Sequence, residues 1–215
     1  MTDPLDRRTL AAACSRLAGS DTRLAVVIER YGTPPLWDRE PGFSTLVHII
    51  LEQQVSLASA RVCFDKLCQQ LGSLTPAAFL SLNDSELKTI GFSRQKTSYV
   101  RHLAEAVLEE RLDLDGLISL PDRAVKEELT SLKGIGEWTS DIYLLMALLR
   151  PDVMPRGDIA LHTAWHQLSG EPRPDPDRFL AIAERWRPFR SAAARILWHW
   201  YLSEKRGRDT SRKRN

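Results

Sequence analysis

The stretch Leu129–Asp158, LTSLKGIGEWTSDIYLLMALLRPDVMPRGD, determines how the rest of the chain is interpreted. It contains a short turn around Gly134 and Gly136, a nearly all-apolar segment from about residue 137 to 149, a proline-containing loop and one carboxylate at its end. A helical pattern also precedes the turn. The sequence therefore predicts two helices joined by a tight glycine turn, an αα-hairpin.

Two functions of this turn are compatible with its sequence. The glycines would relieve strain in a tight turn and do nothing more. Alternatively, N–H groups at the start of the second helix, next to Lys133, would hold a phosphate group. A turn of the form GxG by itself favours the first function, because such motifs are common. The residues on either side of the turn must therefore distinguish between these two functions.

Four segments, taken together, resemble a known family. The run LKGIGEWTSDIYLL, followed by Asp158, is similar to the helix-hairpin-helix DNA glycosylases, and within them to the 3-methyladenine glycosylases of alkylation repair. The other three segments follow in the family's order. They are FSTLVHIILEQQVSLASARV from Phe43, GFSRQKTSYVRHLAEAV from Gly91 and RPFRSAAARILWHWY from Arg187, so the resemblance covers roughly residues 40–202.

The fold class follows from hydrophobic spacing. Apolar residues recur at intervals of three and four, with glycine and proline between segments and no alternating strand pattern, which predicts an all-α fold. The resemblance implies a two-lobed helical bundle with a helix-hairpin-helix motif and an active-site cleft between the lobes. We expect a glycosylase domain over residues 1–202, with one lobe at about 44–150 and the other formed by about 1–43 and 151–202.

The composition of the chain says less than its motifs about whether it binds DNA. The chain has 215 residues, 43% of them apolar, and a net charge of only +2. Positive charge is concentrated in residues 203–215, which we expect to form a basic, disordered tail. The tail would either attract DNA non-specifically or only keep the protein in solution.

Other features of the sequence argue against an iron–sulfur cluster and against membrane association. The three cysteines, Cys14, Cys63 and Cys68, form no CxxC pair and cannot supply the four ligands of an iron–sulfur cluster. The N-terminus lacks a signal-peptide core, and the longest apolar run, Ile142–Leu149, is too short to span a bilayer. We expect a monomer that binds double-stranded DNA with damaged bases and no membrane. It would work in the cytoplasm at the nucleoid, or in the nucleus if the source is eukaryotic.

Asp158 is the candidate catalytic residue. Removing a base breaks an N-glycosidic bond, and the positive charge that develops on the sugar is stabilised by a nearby carboxylate. Asp158 occupies the position where the resemblance places the family's catalytic aspartate. An aspartate before a helix is also a good N-cap, and the two roles are compatible. Asp141 and, more weakly, Glu52 are the alternatives.

Position 138 predicts the reaction subclass and the substrate. In the family, enzymes that also cleave the strand carry a lysine two residues after the second glycine, whereas this chain has Trp138. We therefore expect a monofunctional glycosylase that leaves an abasic site. Trp138 and Trp198 would line the base pocket, because an indole stacks on a cationic base such as 3-methyladenine or 7-methylguanine. Uracil or hypoxanthine is an alternative substrate, and a non-catalytic DNA-binding module is an alternative function.

The resemblance also implies residues that contact DNA. A glutamine amide would face the flipped nucleotide, and Gln54 fits this role better than Gln53. Arg94 stands where the family often has an apolar wedge, which leaves the identity of the wedge open. No cofactor is required, although one Na⁺ or K⁺ would bind backbone carbonyls of Thr130, Leu132 and Ile135. The remaining expected DNA contacts in the hairpin are Lys133, Gly134, Ile135, Gly136 and Thr139. Arg190 and Ser191 would either contact phosphate or cap the last helix.

Overall fold

The computed structural model describes residues 3–212, and within that range it contains helices and no strands. The predicted all-α fold is confirmed. None of the helices in this range is long and apolar enough to cross a membrane. Two short 3-10 segments, Gly116–Ser119 and Glu184–Trp186, accompany the α-helices. In chain order the α-helices are α1 (Arg7–Ser20), α2 (Thr22–Tyr31), α3 (Phe43–Glu52), α4 (Leu57–Leu71), α5 (Pro76–Leu80), α6 (Asp84–Ile90), α7 (Arg94–Leu108), α8 (Asp122–Thr130), α9 (Glu137–Met146), α10 (Ile159–Ser169), α11 (Pro176–Ala183) and α12 (Arg190–Arg212).

The chain folds as two compact units. The described part of the first unit comprises residues 3–38 and 149–212, and the second unit is Arg39–Leu148. The boundaries at 38/39 and 148/149 compare with the expected boundaries at 43/44 and 150/151.

The first unit is built around α12, which packs against α1, α2 and α10. Aromatic side chains fill its core: Trp165 and Trp186 are buried and meet edge to face at 5.4 Å. Asp21 caps the start of α2, because its carboxylate accepts the N–H of Arg23. The same carboxylate accepts the indole N–H of Trp186 in this core at 2.9 Å.

The last helix is longer than its sequence predicts. It continues to Arg212 and so enters the segment from residue 203 that we expected to be a disordered tail. A contact with α2 accounts for part of the difference: Glu204 accepts a hydrogen bond from the hydroxyl of Tyr31 and pairs with Arg30 at 3.1 Å. Residues 213–215 of the expected tail lie outside the described residues.

The second unit is organised around α3, which packs against α4, α7 and α9. Nearly every side chain of α3 is buried, as expected for a helix that is apolar on most of its surface. The C-terminal end of α3 is capped from another helix, because Lys96 Nζ of α7 donates to the Leu51 carbonyl oxygen at 2.6 Å. This bond fixes the point where α3 ends and the chain turns towards α4.

Candidate active site and nucleic-acid interface

Asp158 caps the N-terminus of α10. Its side chain is buried, 8% exposed, and Oδ1 accepts the backbone N–H of Leu161 at 3.0 Å. The same oxygen accepts the indole N–H of Trp198, on α12, at 3.2 Å. The N-terminus of α10 also places the positive end of its helix dipole at the carboxylate.

Trp198 was expected to be a wall of the base pocket, and in the structure its indole N–H donates to the candidate catalytic group. Its ring is 7% exposed and packs edge to face on Trp37, with 6.4 Å between ring centroids and an interplanar angle of 75°. The hydrogen bond between Trp198 and Asp158 was not foreseen. A tryptophan on a helix shows from its sequence neither which way its N–H points nor what accepts it.

The two alternative carboxylates have cationic partners. Asp141 lies within 2.8 Å of Lys126 Nζ and is 2% exposed. Glu52 accepts two hydrogen bonds from the Arg39 guanidinium, at 2.8 and 3.1 Å. Such buried or half-buried ion pairs are typical of groups that maintain structure, because removal of one partner leaves an uncompensated charge.

His162 lies one helical turn after Asp158 on α10. Its Nδ1 is 3.1 Å from the Pro174 carbonyl oxygen, and its ring packs on Phe179 at 4.6 Å. Burial lowers the pKa of His162, with a smaller opposing effect of the Pro174 hydrogen bond. The histidine is therefore held neutral near physiological pH, as part of the core.

The two glycines of the hairpin have different structural roles. Gly134 has φ of +92°, and a Cβ at this position would lie 2.0 Å from the ring of Tyr99. Gly136 has φ of −99°, and a Cβ there would meet nothing within 4 Å. Gly134 is thus required by the fold, whereas Gly136, exposed at the N-cap of α9, leaves room for a ligand to approach the backbone.

Gln53 bonds the hairpin to the end of α3. Its Nε2 donates to the Gly134 carbonyl oxygen at 2.9 Å and to Thr139 Oγ1 at 3.0 Å. Thr139 is buried, and its hydroxyl accepts this hydrogen bond within the protein, whereas we expected it to contact phosphate. Gln53 therefore fixes the position of the turn.

Gln54 is the exposed glutamine of the pair. It has φ of +56°, a left-handed conformation, and it is exposed where Gln53 is half-buried. Val55 and Leu57, which follow it, are 47% and 55% exposed. Arg94 is exposed as the first residue of α7. Gln53 contacts the hairpin, and the exposed Gln54 and Val55 follow it in sequence. These two residues therefore lie beside the hairpin within the second unit.

Two of the expected DNA contacts are engaged inside the first unit. The Arg190 guanidinium binds Asp152 through Nε and Nη2, at 2.9 and 3.0 Å, and Glu184 through Nη1, at 2.8 Å. Ser191 is fully buried and donates to the Arg150 carbonyl oxygen at 2.6 Å. These side chains hold the start of α12 to the preceding loop, and their contact with phosphate stays a prediction.

The other hairpin residues lie as follows. Lys133 is exposed, Ile135 is buried, and Trp138 is half-buried in the first turn of α9. Of the three carbonyls expected to hold a cation, that of Leu132 accepts the Ile135 N–H at 3.1 Å, which closes the turn.

Known proteins match this chain over most of its length. DNA-3-methyladenine glycosylase 1 of Schizosaccharomyces pombe is 28% identical over 204 residues, 88% of this chain and 87% of that protein. YfjP of Bacillus subtilis is 26% identical over 188 residues, and the match spans 83% of this chain and 66% of that protein. The solved structure of S. pombe 3-methyladenine DNA glycosylase Mag1 in complex with abasic DNA superposes with a TM-score of 0.81, at 27% identity, over 87% of this chain and 95% of that one.

A family model provides the broader assignment. Residues 47–188, more than half of the chain, match the model described as HhH-GPD superfamily base excision DNA repair protein. The match includes the glycine hairpin, α9 and Asp158, and it agrees with the all-α structure. The chain therefore belongs to the HhH-GPD superfamily of base excision DNA repair proteins.

Proposed function

We propose that this chain is a DNA glycosylase that hydrolyses the N-glycosidic bond of alkylated purines in double-stranded DNA, acting as a monomer. The observation that carries the proposal is the environment of Asp158, a buried carboxylate at a helix N-terminus that is oriented by the Trp198 indole N–H. Relatives named as 3-methyladenine glycosylases support the substrate class. A protein that only binds phosphate has no need for a buried carboxylate of this kind.

Asp158 would act on the sugar. As the bond to the base breaks, positive charge develops on the deoxyribose, and a negative group held nearby lowers the energy of that state. The hydrogen bonds of Asp158 fix its position before the reaction, so little reorganisation is needed when the charge appears. The carboxylate would also orient the water that attacks the sugar.

The substrate we propose is a purine that carries positive charge, such as 3-methyladenine or 7-methylguanine. Alkylation makes the base a good leaving group, so strong acid catalysis is not required. The base must leave the duplex to reach a protein pocket. Trp138, half-buried at the start of α9, would stack on the flipped base through cation–π attraction.

The hairpin would hold a DNA phosphate. The exposed amide of Gly136, at the N-cap of α9, would donate to it, with Lys133 exposed in the same turn. Gln54 and Arg94 would contact the DNA around the lesion. Carbonyls of Thr130, Leu132 and Ile135 would hold one Na⁺ or K⁺ that stiffens the turn, and no chemical step depends on that ion.

The reaction would end at an abasic site without strand cleavage. Trp138 stands at the position of the lysine nucleophile of bifunctional relatives, and an indole cannot form a Schiff base with the sugar. Incubation with lesion-containing DNA and borohydride should therefore yield no covalent protein–DNA product. A trapped product would show that the enzyme is bifunctional.

Base release tests the function. Duplex DNA treated with a methylating agent is incubated with the protein, and the released bases are separated by chromatography. We expect 3-methyladenine and 7-methylguanine, and no release from untreated DNA. If only uracil or hypoxanthine is released from matched duplexes, the substrate class is wrong. If the protein binds abasic DNA yet releases no base from any duplex, the chain is a binding module.

A further inference from the structure

Trp37 adopts a backbone conformation that a bulky residue rarely has. It lies in the loop between α2 and α3 with φ of +51°, in the left-handed region. Such a conformation is strained and persists only where the surroundings hold it. The residue is half-buried, and its ring contacts two side chains of α12, Trp198 and His199, each at 6.4 Å between centroids.

A buried arginine holds the loop in place. Arg195 of α12 is fully buried, and its Nε donates to the carbonyl oxygen of Leu36, the residue before Trp37, at 2.7 Å. Its Nη1 donates to the Ser191 carbonyl oxygen at 3.2 Å. Burial lowers the pKa of Arg195 to about 10, with smaller opposing electrostatic effects of Cys14 and Asp38. A buried guanidinium is costly, so its use at this loop indicates that the loop position matters.

We infer that Trp37 is a positioning residue, held by Arg195, that fixes the Trp198 indole so that its N–H points at Asp158. The contacts form one chain within the first unit: Arg195 to Leu36, Trp37 to Trp198, and Trp198 to Asp158. An edge-to-face neighbour restricts rotation of an indole about its side-chain bonds, since it leaves one well-packed orientation. The inference deepens the proposed function and depends on it for its kinetic test.

The kinetic test is a double-mutant cycle under single-turnover conditions on a duplex with one alkylated purine. Trp37→Ala should lower the excision rate by about 10-fold, on the scale of one misdirected hydrogen bond to a charged group. Trp37→Phe, which keeps an aromatic neighbour, should stay within about 3-fold of wild type. In a Trp198→Phe background, where no N–H remains to orient, Trp37→Ala should have little further effect.

Two results of this kinetic test would overturn the inference. If Trp37→Ala slows excision as much in the Trp198→Phe background as in wild type, Trp37 acts directly on the substrate or on folding. If the variant weakens binding to abasic-site DNA while the excision rate is unchanged, its role is in DNA binding. Affinity for abasic DNA and thermal midpoints are therefore measured for every variant.

A spectroscopic test does not depend on activity. The Trp198 indole N–H signal of ¹⁵N-labelled protein is identified by its loss in Trp198→Phe. This proton should exchange slowly with solvent in wild type, and faster in Trp37→Ala and in Arg195→Lys, because the hydrogen bond to Asp158 is looser. Unchanged exchange in both variants would refute the positioning role. If wild type releases no base, this measurement still decides the inference, so the two failures are distinguishable.

Discussion

The indole N–H of Trp198 and the carboxylate of Asp158 are joined by a hydrogen bond of 3.2 Å, although 40 residues separate them in sequence. One residue lies on α12 and the other caps α10, and these two helices pack against each other. The same oxygen, Oδ1, also accepts the Leu161 N–H. The carboxylate is therefore held in place by both the local helix start and the tertiary packing of the first unit.

Removal of the indole donor should slow catalysis. Trp198→Phe leaves an aromatic ring but no N–H, so Asp158 loses one of its hydrogen bonds, and we expect the single-turnover rate to fall about 10- to 100-fold. Trp200→Phe is the matched control, because Trp200 is equally buried on the same helix. Equal rates for the two variants would show that the hydrogen bond does not contribute.

The hairpin glycines provide a matched pair of substitutions. Gly134→Ala should lower the thermal midpoint by several degrees, because φ is +92° and the new Cβ would overlap the Tyr99 ring. Gly136→Ala should fold normally, since nothing lies within 4 Å of its Cβ, but should bind DNA about 10-fold more weakly by obstructing the phosphate. Wild-type DNA affinity in folded Gly136→Ala would contradict a phosphate site at this turn.

The two adjacent glutamines should separate structure from DNA contact. Gln53→Ala removes both hydrogen bonds to the hairpin and should reduce the free energy of unfolding by about 1–3 kcal/mol, as seen by denaturant titration. Gln54→Ala should leave stability within about 0.5 kcal/mol and reduce excision, because the exposed amide would face the DNA. The opposite pattern, with stability lost only in Gln54→Ala, would reverse the assignment.

Much of the fold was predictable because its signals are local. Apolar spacing predicts the helices, and the glycine turn predicts the αα-hairpin, which the structure forms from α8 and α9. The position of Asp158 before an apolar helix predicts an N-cap, and its side chain accepts the Leu161 N–H as a cap does. Each of these features depends on residues within a few positions of one another.

The features that the sequence does not predict are tertiary partners. Arg190 and Ser191 stand in a basic, polar segment that suits DNA contact, yet Asp152 and the Arg150 carbonyl, about 40 residues earlier, engage them. The contact of Gln53 with the hairpin and the exposure of Gln54 are likewise not visible in the sequence. The buried Arg195 beneath the Trp37 loop has no local signal either.

The most direct test of the account compares single-turnover release of 3-methyladenine by wild type, Asp158→Asn and Asp141→Asn. Asparagine is as good an N-cap as aspartate, so Asp158→Asn should fold with a near-native thermal midpoint and excise at least about 10²-fold more slowly. Asp141→Asn loses an ion pair with Lys126 and should be less stable, yet should excise within about 10-fold of wild type below its midpoint. Excision by Asp158→Asn at the wild-type rate would contradict the catalytic role of Asp158.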